Sequence, residues 1–127
     1  WAFKKDTNDT RESAAIYIAD ILIENGAEIS VYDPKVSQQQ MLSDLDYLNS
    51  RSSEENKKSL SYYSDPLKAC ENSHAVAVIT EWDEFKYYDW TKIYDCVMSP
   101  AKVFDGRNIL DKKTLVDIGF EVFSIGK

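Results

Sequence analysis

Apolar residues recur at three- and four-residue spacing between Ser13 and Asn25, at Ala15, Ile16, Ile18, Ala19, Leu22 and Ile23. That period predicts an amphipathic helix, and Gly26 supplies its stop. Before it, Trp1 to Phe3 reads as the last part of a strand, so the chain is expected to open inside an element. Ala27 to Tyr32 reads as a strand through Ile29 and Val31, ended by Asp33-Pro34, because proline lacks a ladder donor and restricts its predecessor. Met41, Leu42, Leu45 and Leu48 then mark a helix over Ser37 to Tyr47, with Ser37 as its cap. Asn49 to Lys58 has no apolar anchor and predicts a mobile surface loop.

The second half repeats this alternation. Leu60 to Tyr63 predicts a short strand at a sheet edge, and Asp65-Pro66 opens a helix running to about Cys70 or Glu71. Ala75 to Ile79 is a continuous apolar run, the pattern of a parallel strand covered on both faces. Trp82 and Phe85 follow it, and packing over the sheet is favoured for them over stacking on a ligand ring. A helix starting at Asp89 or Thr91 runs through Ile93 and Val97 and ends by Pro100. Lys102 to Phe104 is the fifth strand, Asp111 caps a helix carrying Leu115, Val116 and Ile118, and Phe120 to Ile125 is the last strand. Six strands alternating with helices argue an α/β fold with one doubly wound, Rossmann-like parallel sheet, in the order 3-2-1-4-5-6 and with its first strand truncated.

At 127 residues, with 43% hydrophobic and 29% charged content, the chain has the length and composition of one globular domain. A net charge of −7 opposes any general affinity for nucleic acid or for an anionic membrane, so an anionic ligand needs local cations. The longest uninterrupted apolar run, Ala75 to Ile79, is far too short to span a bilayer, and a cytoplasmic location is expected. Cys70, Cys96 and the single histidine, His74, have no metal-ligand spacing; the cysteines read as small reduced core residues, and His74 as a strand-edge residue.

The candidate chemistry gathers in turns that follow strands. In such sheets ligands lie beyond the carboxyl ends of the strands, and a helix start favours anions. Phe3-Lys4-Lys5-Asp6-Thr7-Asn8-Asp9-Thr10-Arg11-Glu12-Ser13 forms the first of these turns. Asp9 or Thr10 is a candidate N-cap, and Glu12 is expected in the first helical turn. Arg11 gains nothing from the helix dipole there, so its better use is an anion in front of the loop. Asp105-Gly106-Arg107-Asn108 follows the fifth strand, where glycine permits a tight turn and close approach to a ligand, with Arg107 in position to bind it. This loop, the first one and the turn after Ile79 are expected to converge near the switch point of the sheet. No G-x-G-x-x-G follows the first strand, so a self-contained NAD site is not expected.

Phe3-Lys4-Lys5-Asp6-Thr7 with Asp9-x-Arg11-Glu12-Ser13, then Tyr32-Asp33-Pro34, Thr80-Glu81-Trp82-Asp83-x-Phe85 and Phe104-Asp105-Gly106-Arg107, stand in one order along the chain. They are followed by Ile118-Gly119-Phe120 and Ser124-Ile125-Gly126-Lys127. Together they resemble the C-terminal UDP-binding domain of the UDP-glucose/GDP-mannose dehydrogenase family, over the length of the chain. Asn8 stands where Gly or Asp is expected, and asparagine tolerates the turn conformations such a loop needs.

The resemblance implies that residues 1–127 form a C-terminal UDP-sugar-binding domain, preceded by an NAD-binding domain and a connecting helix. It implies an oxidoreductase that converts UDP-glucose to UDP-glucuronate with two NAD, through cysteine-bound intermediates, the catalytic cysteine and lysine lying outside this chain, which alone does not catalyse. By the same resemblance Phe3, Lys4 and Arg107 contact the UDP-sugar, Arg11 reaches the NAD phosphates, and the enzyme is a homo-oligomer. Lys4 and Arg107 suit a diphosphate on physical grounds as well, as a point charge and a bidentate fork. Lys5 and Asp105 read as supporting residues. The competing reading is a non-catalytic, nucleotide-sugar-binding regulatory module.

Overall fold

A computed structural model describes residues 1–125, which fall into two compact units, Trp1 to Asp65 and Pro66 onward. Gly126 and Lys127, the end of the closing stretch noted above, lie outside the described residues. The first unit runs α1 (Ala14–Glu24), β1 (Ile29–Val31), α2 (Gln38–Leu48), α3 (Ser53–Ser59) and β2 (Leu60–Tyr62). The second runs α4 (Pro66–Cys70), β3 (Val76–Val78), a 3-10 turn over Asp83–Tyr87, α5 (Trp90–Cys96), β4 (Lys102–Asp105), α6 (Lys112–Ile118) and β5 (Glu121–Ser124).

In the first unit β1 pairs parallel with β2, Ser30 opposite Ser61. The apolar stripe of α1 puts Ala15, Ile16, Ala19 and Ile23 inside, and α2 contributes Met41 and Leu45, both without exposed surface. Ser37 caps α2 by accepting the Gln40 N–H. The expected loop over Asn49 to Lys58 holds a helix instead. Ser52 accepts the Glu55 N–H and donates its hydroxyl to the Glu55 carboxylate, so the reciprocal side chain-to-backbone form of a capping box is only half made. Glu54 and Glu55 at its start and Lys57 and Lys58 at its end complement the dipole.

What anchors α3 is polar. Asn56 is fully buried; its amide donates to the Asp46 carboxylate at 2.8 Å, and its carbonyl oxygen accepts from Arg51 at 2.8 Å. Arg51 also donates to the Asp20 carbonyl and the Glu24 carboxylate, and pairs with the Asp20 carboxylate at 3.0 Å. Burial pulls its guanidinium pKa down, but hydrogen bonds to Glu24 and Asp20 outweigh that, and the net shift is upward. Residues 52–59 carry no apolar side chain, so the segment has no apolar period.

In the second unit β4 lies between β3 and β5, all parallel, with Val103 opposite Val76 and Val122. Val78, Trp90, Ile93, Val103, Leu115 and Phe120 make the core, each such burial being worth about 1.5–3 kcal/mol. Trp90 and Tyr94 meet Phe120 edge-on, at centroid distances of 6.0 and 5.3 Å. Gly119 ends α6 with φ of 133°, and an added Cβ would stand 2.7 Å from the Tyr94 ring, so both backbone and space require glycine. Trp82 is buried, in line with the packing role expected of it.

Three expectations change. The described residues hold five strands in two parallel sheets, not one six-stranded sheet. Trp1 to Phe3 is not a strand: the Trp1 amino group and the Ala2 N–H donate to the buried Asp33 carboxylate, each at 3.0 Å, and the Phe3 N–H donates to the Asp9 carbonyl, where a ladder partner would be needed. Within each sheet the neighbours agree with the expected order. The run Ala75 to Ile79 is not covered on both faces either. Val78 and Val103 face the core that α5 and α6 close, whereas Ala77, Phe104 and Phe123 are exposed, the two rings stacked at 4.8 Å. No helix among the described residues is long and apolar enough to cross a membrane.

Candidate functional site

The loop before α1 is closed by its own backbone. The Phe3 N–H donates to the Asp9 carbonyl at 2.8 Å, the Thr7 hydroxyl accepts the Asp9 N–H, and Asp6 takes the left-handed conformation at φ of 62°. The N-cap of α1 is Ser13, not Asp9 or Thr10, and Glu12 lies outside the helix. Glu12 is left-handed, with φ of 58°, which breaks the helical run. Ser13 then accepts the Ala15 N–H and donates its hydroxyl to the Trp1 carbonyl. The tolerance expected of Asn8 is not used there; the left-handed positions are Asp6 and Glu12.

Phe3 and Lys4 are exposed on this loop, and Arg11 is 88% exposed in its side chain. Arg11 does not stand open toward a ligand: its Nε and Nη2 grip both oxygens of Asp9, at 3.0 and 2.8 Å, and its backbone N–H meets the same carboxylate. That side-chain bond first, and the backbone bond next, pull the Asp9 carboxyl down to about 2, with a smaller effect from the charge of Lys4. Phe3, Lys4 and Arg11 therefore share one tied loop. Beside it, Asp6, Thr7, Asn8 and Lys35 line an open polar depression of about 390 Å³.

Arg107 belongs to the second unit. The buried Asp105 carboxylate ends β4 and accepts two backbone N–H groups of the turn it opens, from Arg107 at 3.1 Å and from Leu110 at 2.8 Å. Asn108 follows at φ of 55° and donates to the Ile125 carbonyl. Gly106 serves the neighbouring strand: its N–H donates to the Val78 carbonyl at 2.9 Å, and a Cβ would sit 3.1 Å from that oxygen. The close approach expected toward a ligand is thus made to β3. Arg107 reaches Glu81, beyond the end of β3, with Nη2 2.6 Å from Oε2.

Glu81 was legible only as part of a motif, without a role. The signal for it is register: Val78 pairs with Asp105, so the residues that continue the two strands run side by side and bring Arg107 next to Thr80 and Glu81. Arg51 and Asn56 were missed altogether. Among the described residues no cluster of histidine, cysteine, aspartate or glutamate could hold a metal ion, and Cys70 and Cys96 are partly buried.

Residues 1–112 match the UDP binding domain of the UDP-glucose/GDP-mannose dehydrogenase family. The chain belongs to this family. Among its members, UDP-glucose 6-dehydrogenase of Drosophila melanogaster is 48% identical over all of this chain, and that of Caenorhabditis elegans is 48% identical over 99% of it. The enzyme of the same name from Bos taurus is 43% identical. The chain spans only about a quarter of these relatives, 27% of the fly protein and 26% of the other two. The fold is also that of the crystal structure of NDP-N-acetyl-D-galactosaminuronic acid dehydrogenase from Methanosarcina mazei Go1. The TM-score is 0.74 at 22% identity, over 100% of this chain and 23% of that one.

Proposed function

We propose that residues 1–127 form the UDP-sugar-binding domain of a UDP-glucose 6-dehydrogenase, whose NAD-binding domain and connecting helix lie outside this chain. The observation that carries this reading is Arg107, held at the carboxyl end of a parallel strand by the buried Asp105 carboxylate, in a chain of this family. Arg107 offers a guanidinium fork to the diphosphate, Lys4 adds a point charge, and Phe3 contributes a wall or backbone groups. A parallel α/β arrangement belongs to the same reading and is supported by the neighbours within each sheet.

NAD, when bound, supplies the hydride acceptor for the two oxidations that turn UDP-glucose into UDP-glucuronate. The fit of this chain to that cofactor is narrow: the exposed guanidinium of Arg11 suits one phosphate, once it exchanges part of its grip on Asp9. The domain alone binds substrate and does not catalyse. The whole enzyme is read as a cytoplasmic homo-oligomer.

Calorimetric titration of UDP-glucose, UDP and uridine into the protein, at one fixed salt concentration, tests the reading. UDP and UDP-glucose are expected to bind, and uridine at least about ten-fold more weakly, because the cations act on the diphosphate. Equal affinity for uridine and UDP would contradict it.

A further inference from the structure

The pair formed by Arg107 and Glu81 is built by two anchored backbones. Asp105 fixes the turn that carries Arg107, and Glu81 stands between two buried residues, Thr80 and Trp82, at the end of the adjacent strand. The parallel register brings the two together, and the contact is made through one terminal nitrogen, at 2.6 Å, with the side chains 34% and 27% exposed. A guanidinium has five N–H donors, so this contact aims the group without using it up. A phosphate that reaches Arg107 must nevertheless share it with a carboxylate of the same sign of charge, or displace that carboxylate.

We propose that Glu81 is an internal competitor for Arg107: it holds the guanidinium when no ligand is present, and a nucleoside diphosphate exchanges with it on binding. The inference rests on the reading of Arg107 as a diphosphate-binding residue. Glu81 thereby lowers the affinity for every ligand whose phosphate uses Arg107, and eases departure of the bound nucleotide. The exchange is ionic, so its effect shrinks as salt screens the exposed pair.

The test is calorimetric titration of UDP into the protein and into its Glu81→Gln, Glu81→Ala, Arg107→Ala and Glu81→Gln/Arg107→Ala variants, at low and high salt, with circular dichroism to check folding. Both single substitutions of Glu81 are expected to tighten UDP by about five-fold at low salt, the effect of one like charge about 4 Å away in water. In the Arg107→Ala background, Glu81→Gln is expected to change nothing. Unchanged or weaker UDP binding in the folded Glu81 variants would overturn the competitor role while leaving the diphosphate reading intact, provided Arg107→Ala weakens binding. Tightening of the same size with and without Arg107 would also overturn it. No loss in Arg107→Ala would instead overturn the reading of Arg107 itself.

Discussion

Arg51, in the first unit, keeps 6% of its side chain exposed and is shared among the Asp20 carboxylate and carbonyl, the Glu24 carboxylate and the Asn56 amide. Arg107, in the second unit, keeps 34% exposed and meets the Glu81 carboxylate. The two surroundings assign the same side chain different work. A guanidinium sealed among several fixed acceptors is structural, since moving it would strand buried partners. One held, among the described residues, by the Glu81 carboxylate at the end of a strand keeps donors for a ligand, and its backbone, not its head group, is what the fold immobilises.

The sharpest way to break this contrast is at Arg51. Arg51→Ala is expected to cost about 3 kcal/mol of stability, read by urea unfolding, because Asp20 and Asn56 are left without their cation. UDP affinity of the folded variant should not change. Asn56→Ala attacks the same cluster from its buried amide, which links Arg51 to Asp46, and should cost about 2 kcal/mol. If either variant weakened UDP binding as much as stability, the division of roles would fail.

On the other side of the contrast, Asp105→Ala removes the acceptor of the Arg107 and Leu110 N–H groups. A stability loss of about 1–2 kcal/mol is expected, together with weaker UDP binding, since the turn that aims Arg107 loses its anchor. The combined loss separates a positioning residue from a purely structural one, for which Arg51→Ala is the control.

The smallest effect concerns the exposed pair of Asp9 and Arg11. Its carboxyl titrates at about 2 in the folded chain, against an ordinary 3.8, because the Arg11 guanidinium and backbone N–H bind the charged form. A depressed carboxyl stabilises the fold above its unfolded value and stops doing so as pH falls through its folded one. The contribution of the pairing to stability should therefore be full above about pH 4 and be lost as pH falls through about 2, where Asp9 is half protonated in the folded chain. Carboxyl NMR shifts of Asp9 would follow this, and Arg11→Gln should return the midpoint toward the ordinary value.

These residues also show how far the sequence could be read. The helices of the first unit were legible wherever an apolar stripe met a capping serine, as at Ser37. The parallel alternation of the second unit was legible from its short apolar runs. Ser52 to Ser59 was not, because α3 is held by Arg51 and Asn56, and periodicity has no term for a buried polar anchor. Nor was the start of α1: the left-handed turn at Glu12 follows from the closed loop between Phe3 and Asp9, a contact that neither residue type announces. Phe104 and Phe123 stack on an exposed face, a pairing set by strand register rather than by either residue alone.

The candidate site was legible through its motifs rather than its chemistry. Arg107 could be named, but its partner could not, because the pairing with Glu81 depends on the register of two strands 26 residues apart in the contact it creates. Arg11 was placed on the right loop, and the Asp9 carboxylate that grips it was read as a helix cap.

Whether Arg107 binds the diphosphate is tested most directly by calorimetric titration of UDP into the protein and its Arg107→Ala variant at one salt concentration, with matched thermal melts. Loss of about 1.5–3 kcal/mol of binding with an unchanged melt is the predicted result, the worth of a charge-assisted hydrogen bond. Unchanged affinity in a folded Arg107→Ala variant would contradict it.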